Sequence, residues 1–433
     1  MTPMMSASLP ARPASHAENF SLRDFLPLPD QGFAEQVETF SRHYRAAAEA
    51  GATLYMREIQ GPADAEVRVL DPLTGQVRPM IMLGSNNYLG LTNHPRVKEA
   101  VKAAIDEFGV GCGGPPLLNG TSRLHRELES RLAALKGAED CVLFTSGFLT
   151  NLGWMGALMR PQDVVIYDEL SHASLFDALK LTRCRSQFFR HNDLAELAQI
   201  LTATRTRAPK ANIVVSVEGV YSMDGDLAPL PALRALCDQH GAWLMVDDAH
   251  GTGVMGAGGA GTSAHFHTPV EVNMGTFSKS FGTVGGFLTG SRALIDYMRF
   301  FARSHMFSAA LPHPVVATVL AGLDVMADEP WRQEKLHANA DRLAAGLRGL
   351  GLDVNYESAI IPLIVPVAVD LRLLTRRIHE EGLFVNAIEA PAVPADRQRL
   401  RLSLMATHTE AHLARAIEVI GAVGREVGLV SGP

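Results

Sequence analysis

WLMVDDAHGTG, Trp243 to Gly253, runs from four apolar residues straight into two carboxylates, a histidine and two glycines. An apolar run this short predicts a buried strand, and its polar end predicts the loop beyond it. CVLFT (Cys141–Thr145), VVIYD (Val164–Asp168) and NIVVSVE (Asn212–Glu218) have the same form. Helical patterns such as LPALRALCDQHG (Leu230–Gly241) lie between them. Strand and helix alternating over about 150 residues predict an α/β fold, a mostly parallel sheet covered by helices. SRLHRELESRLAALKG (Ser122–Gly137) adds a helix with Leu124, Leu128, Leu132 and Leu135 on one face, Thr121 or Ser122 as its cap and Gly137 as its end.

The chain has 433 residues, 47% hydrophobic and 20% charged, which describes a globular protein large enough for more than one lobe. We expect an N-terminal arm at 1–75, rich in Pro, Ser and Ala at its start and helical from about Glu35 to Ala50. A large domain is expected at 76–310. A smaller C-terminal α+β domain at 311–433 would hold two long helices, the strands GLFVNAI (Gly382–Ile388) and RLRLSLM (Arg399–Met405), and a last helix near Thr409–Val427. The net charge of −7 offers no basic field for nucleic acid. Cys112, Cys141, Cys184 and Cys237 show no metal or paired spacing, so a reduced, cytoplasmic setting without a metal is expected. Apolar runs such as IIPLIVPVAV (Ile360–Val369) are too short and proline-rich for an integral membrane segment.

Ligands of α/β sheets sit at the carboxyl ends of the strands. CVLFT is followed by Ser146, Gly147 and Phe148, a small-residue turn entering a helix, where backbone N–H groups suit a phosphate. VVIYD is followed by His172, a flat ring able to stack on a planar cofactor. Glu218 and Ser222 flank the turn after NIVVSVE. Asp247 and His250 end WLMV, where an acid can pair with a protonated heterocyclic nitrogen. GTFSKSFGTVGGF (Gly275–Phe287) then places one cation, Lys279, three residues after Thr276. A phosphate turn, a stacking ring, an acid and a lysine together are what pyridoxal 5'-phosphate (PLP) requires: an amine to form a Schiff base, and an acid to keep the ring an electron acceptor.

SNNYLGL, LNGTSRLHRELE, SGF, DELSHASL, EGVYSMDGD, VDDAHGTGV, GTFSKSFG, MFSAALP and MATHT stand in the order found in the α-oxoamine synthases, which this chain resembles from about Met80 to its C-terminus. The resemblance implies a fold-type I PLP-dependent transferase. Such enzymes join a small amino acid to an acyl thioester (on CoA or a carrier protein) with loss of CO2, as homodimers with sites at the interface. It implies Lys279 as the Schiff-base lysine and later the base for the Cα proton. Asp247 becomes the partner of the ring nitrogen, His250 a neighbour of the ring hydroxyl, and His172 the stacking ring. Ser146, Gly147, Phe148 and Thr276 are implied at the phosphate or cofactor edge. Glu218, Ser222 and Asn86 would line the site. The hydroxyl that the second subunit usually supplies from MFSAALP is replaced by Ala309, leaving Ser308 as a substitute.

VN, PAVP and MATHT in the C-terminal lobe resemble serine palmitoyltransferases and their bacterial relatives, which implies serine and a long-chain acyl thioester, and hence sphingolipid-type chemistry. The alternatives are the 8-amino-7-oxononanoate synthase reaction, with alanine and a pimeloyl thioester, and the glycine-using 2-amino-3-ketobutyrate CoA ligase reaction. Glu389 stands where the biotin-pathway synthases usually carry a carboxylate-binding arginine, so Arg401, ahead of Arg399, is the candidate for that role; either could instead be a solvated strand-edge residue. Pro115 and Pro116 also depart from the family pattern, at a stretch tied to acyl-donor contacts. Two readings lie outside the class. GAGGAG (Gly256–Gly261) fits GxGxxG but follows no strand directly and opens no helix. A non-catalytic subunit is opposed by the joint presence of Lys279, Asp247 and His172.

Overall fold

The computed structural model describes residues 30–71 and 73–431; the start of the expected arm lies outside them. A helix spans Phe33–Glu49. Strands β1 (Glu66–Leu70) and β2 (Val77–Met82) then form an antiparallel pair.

Seven strands follow: β3 (Asp140–Phe144), β4 (Val164–Asp168), β5 (Arg185–Phe189), β6 (Ile213–Glu218), β7 (Trp243–Asp247), β8 (Val272–Thr276) and β9 (Gly286–Gly290). They build one sheet in the order β3-β9-β8-β7-β6-β4-β5. The run β8, β7, β6, β4, β5 is parallel, and β9 is antiparallel to both of its neighbours. Helices cover both faces, so β4 and β6 are buried at every position, as their unbroken apolar runs require. β5, RSQFF, lies at the sheet edge and is exposed at all but its last residue, which is why no apolar run announces it.

The helix Arg123–Lys136 starts at Ser122 and ends at Gly137, whose left-handed φ of 63° suits glycine. His125, in the place where a capping box usually has Glu or Gln, accepts the Ser122 N–H through Nδ1 at 3.2 Å.

Beyond Leu311 come the helices His313–Asp328 and Trp331–Gly349, then β10 (Ile360–Ile364), the helix Leu371–Glu380, β11 (Leu383–Phe384), β12 (Asn386–Ile388), β13 (Arg399–Ser403) and the helix Glu410–Glu426. GLFVNAI, expected as one strand, is divided. β11 joins β2 in parallel, while β12 joins β13, which also pairs with β10. Val385 lies at the break, and its carbonyl accepts from the His379 ring at 3.0 Å instead of continuing a ladder. Strand β2, near the start of the segment expected as the large domain, is thus bonded to the C-terminal segment. Among the described residues no helix is long and apolar enough to cross a membrane.

Candidate active site

Parallel pairing brings the carboxyl ends of β4, β6, β7 and β8 to one edge of the sheet. Glu218 and Asp247 are register partners across β6 and β7. Lys279 follows β8, and Thr276 ends it. A cavity of about 270 Å³ opens there. Its wall takes in Lys279, Thr276, Asp247, His250, Glu218 and Ser222, and on the opposite side Ser146, Gly147, Phe148 and His172.

Asp247 is oriented on both oxygens. Asn151 Nδ2 donates to Oδ2 at 2.8 Å and the Ala249 N–H donates to Oδ1 at 3.1 Å. Asn151 is itself positioned by Trp154, whose indole N–H donates to its Oδ1 at 3.1 Å. Asn151 also donates to Ser174 Oγ at 2.8 Å, and that hydroxyl lies 2.8 Å from His172 Nδ1. The Ser174 N–H donates to the same Nδ1 at 3.2 Å, so a neutral His172 carries its proton on Nε2. Desolvation lowers the His172 pKa, which favours that neutral ring. His250 is buried with Nδ1 2.7 Å from the Tyr88 hydroxyl. Desolvation, then the charges of Lys279 and Arg401, push it well below the ordinary histidine range.

Sequence reasoning missed Asn151, Ser174 and Ser278. Asn151 carried a faint signal, as one amide inside the otherwise apolar LTNLGWMGAL.

Asp248, next to Asp247 in sequence, belongs to another structure. It forms a buried ion pair with Lys136 at 2.6 Å and accepts from the Thr262 hydroxyl at 2.7 Å. Successive side chains leaving a strand point apart, so one acid of the pair serves the cavity and the other the frame. The Gly256–Gly261 loop wraps this second acid. A Cβ on Gly261 would lie 1.8 Å from Asp248 Oδ2. Its glycines thus answer to packing, and the loop opens only the four-residue helix Thr262–His265, which does not meet the dinucleotide pattern.

Arg401 and Arg399 are both buried, which corrects the solvated reading of either. Arg399 Nη1 donates to the Met223 carbonyl and to Asp224, pinning the turn after β6. Arg401 donates to the Ser222 carbonyl at 2.5 Å and to Asn86 Oδ1 at 3.1 Å. Neither Asn86 nor Arg401 is part of the cavity wall itself; they stand behind Ser222 and Tyr88. Glu389 is paired with Arg372 and accepts from the Tyr55 hydroxyl at 3.3 Å. Ser308 lies outside the cavity, its Oγ 3.3 Å from Thr145 Oγ1.

The wall fits PLP. The helix Gly147–Leu158 points its N-terminus into the cavity, and its first N–H groups have no acceptor within the helix. Ser146 Oγ takes the Leu149 N–H at 3.1 Å, leaving Gly147 and Phe148 to meet a phosphate. A Cβ on Gly147 would come within 3.0 Å of the Thr276 side chain, so glycine keeps that approach open. Thr276 and Ser278 place hydroxyls 2.9 Å apart beside it. Glu218 Oε1 is buried without a partner. Burial first, then the Asp247 charge, push its pKa up to about 8.

Desolvation lowers the Lys279 amine to about 8, against partial compensation by Asp247 and Glu218. A lower pKa leaves more neutral amine, the form that attacks an aldehyde. At neutral pH the neutral fraction is about 300-fold that of an ordinary lysine. Capture of PLP by the cofactor-free protein is therefore expected to accelerate up to about pH 8 and level off above it. Stopped-flow absorbance checks this; a rate still climbing tenfold per pH unit beyond pH 9 would contradict it.

A sheet of this order with a lysine, an acid and a helix N-terminus at its carboxyl edge defines a PLP-dependent enzyme. Residues 78–420 match the family model described as aminotransferase class I and II. The chain is 40% identical to a serine palmitoyltransferase of Bacteriovorax stolpii over 80% of its length and 83% of the relative's. It is 38% identical to an 8-amino-7-oxononanoate synthase of Geotalea daltonii, over 91% of this chain and 99% of that one. A solved serine palmitoyltransferase from S. paucimobilis with a bound PLP–myriocin adduct superposes with a TM-score of 0.85 at 31% identity, covering 92% of this chain and all of the other. The chain belongs to the aminotransferase class I and II family and, within it, to the α-oxoamine synthases, PLP-dependent acyltransferases.

Proposed function

We propose that the protein condenses serine with a long-chain acyl thioester, releasing CO2 and the thiol and leaving an α-amino ketone. The observation that carries this choice of substrate is the state of Glu389. The biotin-pathway synthases usually carry a carboxylate-binding arginine there, whereas here an acid is neutralised by Arg372 and Tyr55. Among the described residues the cation at that position, Arg372, is paired with Glu389, so the substrate carboxylate is left to Arg401. Serine palmitoyltransferases among the relatives support the same reading.

PLP, when bound, supplies an electron sink for the pair left on the amino acid Cα. The roles of the side chains follow from their positions. Gly147 and Phe148 N–H groups, with the Thr276 and Ser278 hydroxyls, hold the phosphate end. Asp247, fixed by Asn151, keeps the ring nitrogen protonated. His172 stacks as a neutral ring, and its Nε2–H is available to an incoming carboxylate. His250, held by Tyr88, would meet the ring hydroxyl. Lys279 would hold the cofactor covalently and, as a free amine that burial lowers to about 8, would take the Cα proton. Ser222 shapes the amino-acid side, with Asn86 and Arg401 behind it, and Arg401 adds positive potential for the carboxylate. In this proposal the enzyme works as a homodimer, with Ser308 of each chain serving the other's phosphate.

Titrating the PLP-loaded protein with serine, alanine and glycine, each alone, tests amino-acid choice by the shift of the visible band. Serine is expected to saturate at a concentration at least tenfold lower than either competitor. A shift confined to alanine would favour the reaction of the 8-amino-7-oxononanoate synthases, and one confined to glycine the third reaction. Either result would overturn the choice of serine.

A further inference from the structure

His313 lies far from Cys112 and His125 in the sequence, and nothing in the spacing of the three resembles a metal motif. The fold brings them together where the loop after the helix Pro95–Phe108 meets the helices Arg123–Lys136 and His313–Asp328. Sγ of Cys112 and one ring nitrogen of each histidine all lie within 4.8 Å of one another. Cys112 Sγ is 3.7 Å from His313 Nε2. The Leu311 carbonyl oxygen closes the group, 3.3 Å from Cys112 Sγ and 2.8 Å from His125 Nε2.

The hydrogen bonding of this group is what marks it. Two protons, one on sulfur and one on His125 Nε2, converge on a single carbonyl oxygen. His125 Nδ1 accepts from the Ser122 N–H at 3.2 Å and lies 2.9 Å from Ser122 Oγ. His313 is the opposite case. It is 8% exposed, its Nδ1 is buried with no partner, and its Nε2 has only a thiol at a long distance. A buried imidazole with both nitrogens poorly satisfied costs stability unless something else uses one of them.

We propose that Cys112, His125, His313 and the Leu311 carbonyl form a binding site for a divalent transition metal of the zinc type. Bond lengths of about 2.0–2.3 Å in a tetrahedron separate ligand atoms by about 3.3–3.7 Å. The 3.3 Å and 3.7 Å separations from Cys112 Sγ fall in that range, while the 2.8 Å from His125 Nε2 to the Leu311 carbonyl is a hydrogen-bond distance that must lengthen when the metal replaces the proton. One thiolate and two imidazoles select zinc or cobalt over magnesium or calcium. Binding releases one proton, from the Cys112 thiol. For His125 to bind the metal its proton moves from Nε2 to Nδ1, giving up the bonds to the Leu311 carbonyl and from the Ser122 N–H for one to Ser122 Oγ at 2.9 Å, so no second proton leaves. The cation fastens the Cys112 loop, which continues into Pro115 and Pro116, to the start of the helix His313–Asp328. The site is separate from the Lys279 cavity.

The test uses the PLP-loaded enzyme, freed of excess cofactor and metal and titrated with Co2+. One equivalent per chain is expected to bind, with a thiolate-to-cobalt absorption and the visible bands of four-coordinate cobalt, both removed by Zn2+. Cys112→Ser is expected to lose the thiolate band, and His313→Gln to weaken cobalt binding at least tenfold, with the PLP band unchanged in both. A thiolate band that survives Cys112→Ser, or equal affinity in His313→Gln, overturns the proposal. Alkylation of the wild-type enzyme guards against variants that fail to fold: Zn2+ is expected to protect Cys112 from iodoacetamide, and unprotected labelling of Cys112 at saturating Zn2+ overturns the site.

Discussion

Replacing Lys279 with alanine is expected to lower turnover by about 10³-fold or more, because one side chain carries two tasks. In the proposed mechanism it forms the covalent link to the cofactor and then acts as the base for the Cα proton; general-base catalysis alone contributes about 10²–10⁴-fold. The neighbourhood explains why no other group can take over. His172 and His250 lie within the same wall, but desolvation lowers both below the ordinary histidine range, and the ring nitrogens that face Ser174 and Tyr88 are already engaged. Glu218, pushed up to about 8, is largely protonated at neutral pH and a poor base there. The phosphate cradle at Gly147 does not involve the lysine, so the variant is expected to hold PLP without the covalent link. Steady-state kinetics measure the loss. Borohydride reduction of the wild type, followed by peptide mapping, is expected to label the peptide containing Lys279. Label on any other lysine would remove the basis of the assignment.

Asp247→Asn carries the second-largest expected effect, a fall in kcat of about 10²–10³-fold, the size seen when one preorganised electrostatic partner is removed from a buried site. The substitution preserves shape and removes charge. The amide oxygen would keep one of the two donors that hold Asp247, Asn151 Nδ2 or the Ala249 N–H, while the other would face the new NH2 group. An amide cannot hold a proton on the ring nitrogen as a carboxylate does, and the cofactor loses its capacity to store electrons. Because the side chain keeps its size and one of its two hydrogen bonds, the Michaelis constant for serine is expected to change far less than kcat. A variant retaining more than a tenth of wild-type kcat would mean that Asp247 is not the partner of the ring nitrogen.

Much of this was legible in the sequence, for a physical reason. Strands β4, β6 and β7 are buried on both faces, so their apolar runs stand out, and the polar residues that end them mark the ligand edge. Lys279, Asp247, His172 and Glu218 all follow from that edge. The site residues that did not follow act through other side chains. Asn151 sits one turn into a helix and looks like any helical amide until Asp247 is placed beside it. Ser308 was expected to reach a phosphate across a subunit boundary, and within one chain it meets only Thr145. Arg399 and Arg401 stand two apart on one strand, each followed by a leucine. Only the fold shows Arg399 spent on the Asp224 turn and Arg401 set behind Ser222. In the scaffold, β5 and the β2–β11 pairing escaped notice because an exposed edge strand and a two-residue strand carry no period to detect. The Cys112 cluster is the extreme case, three ligating residues with no sequence relation that share one corner of the fold.

The most direct test of the account is to supply serine labelled with carbon-14 in its carboxyl group, together with palmitoyl-CoA, and to follow labelled CO2 and free thiol. The account predicts that both appear in equal amounts, at a common rate, with an α-amino ketone of matching mass, and that neither appears when either substrate is omitted. Thiol release without labelled CO2, or turnover with alanine and pimeloyl-CoA but not with this pair, would contradict it.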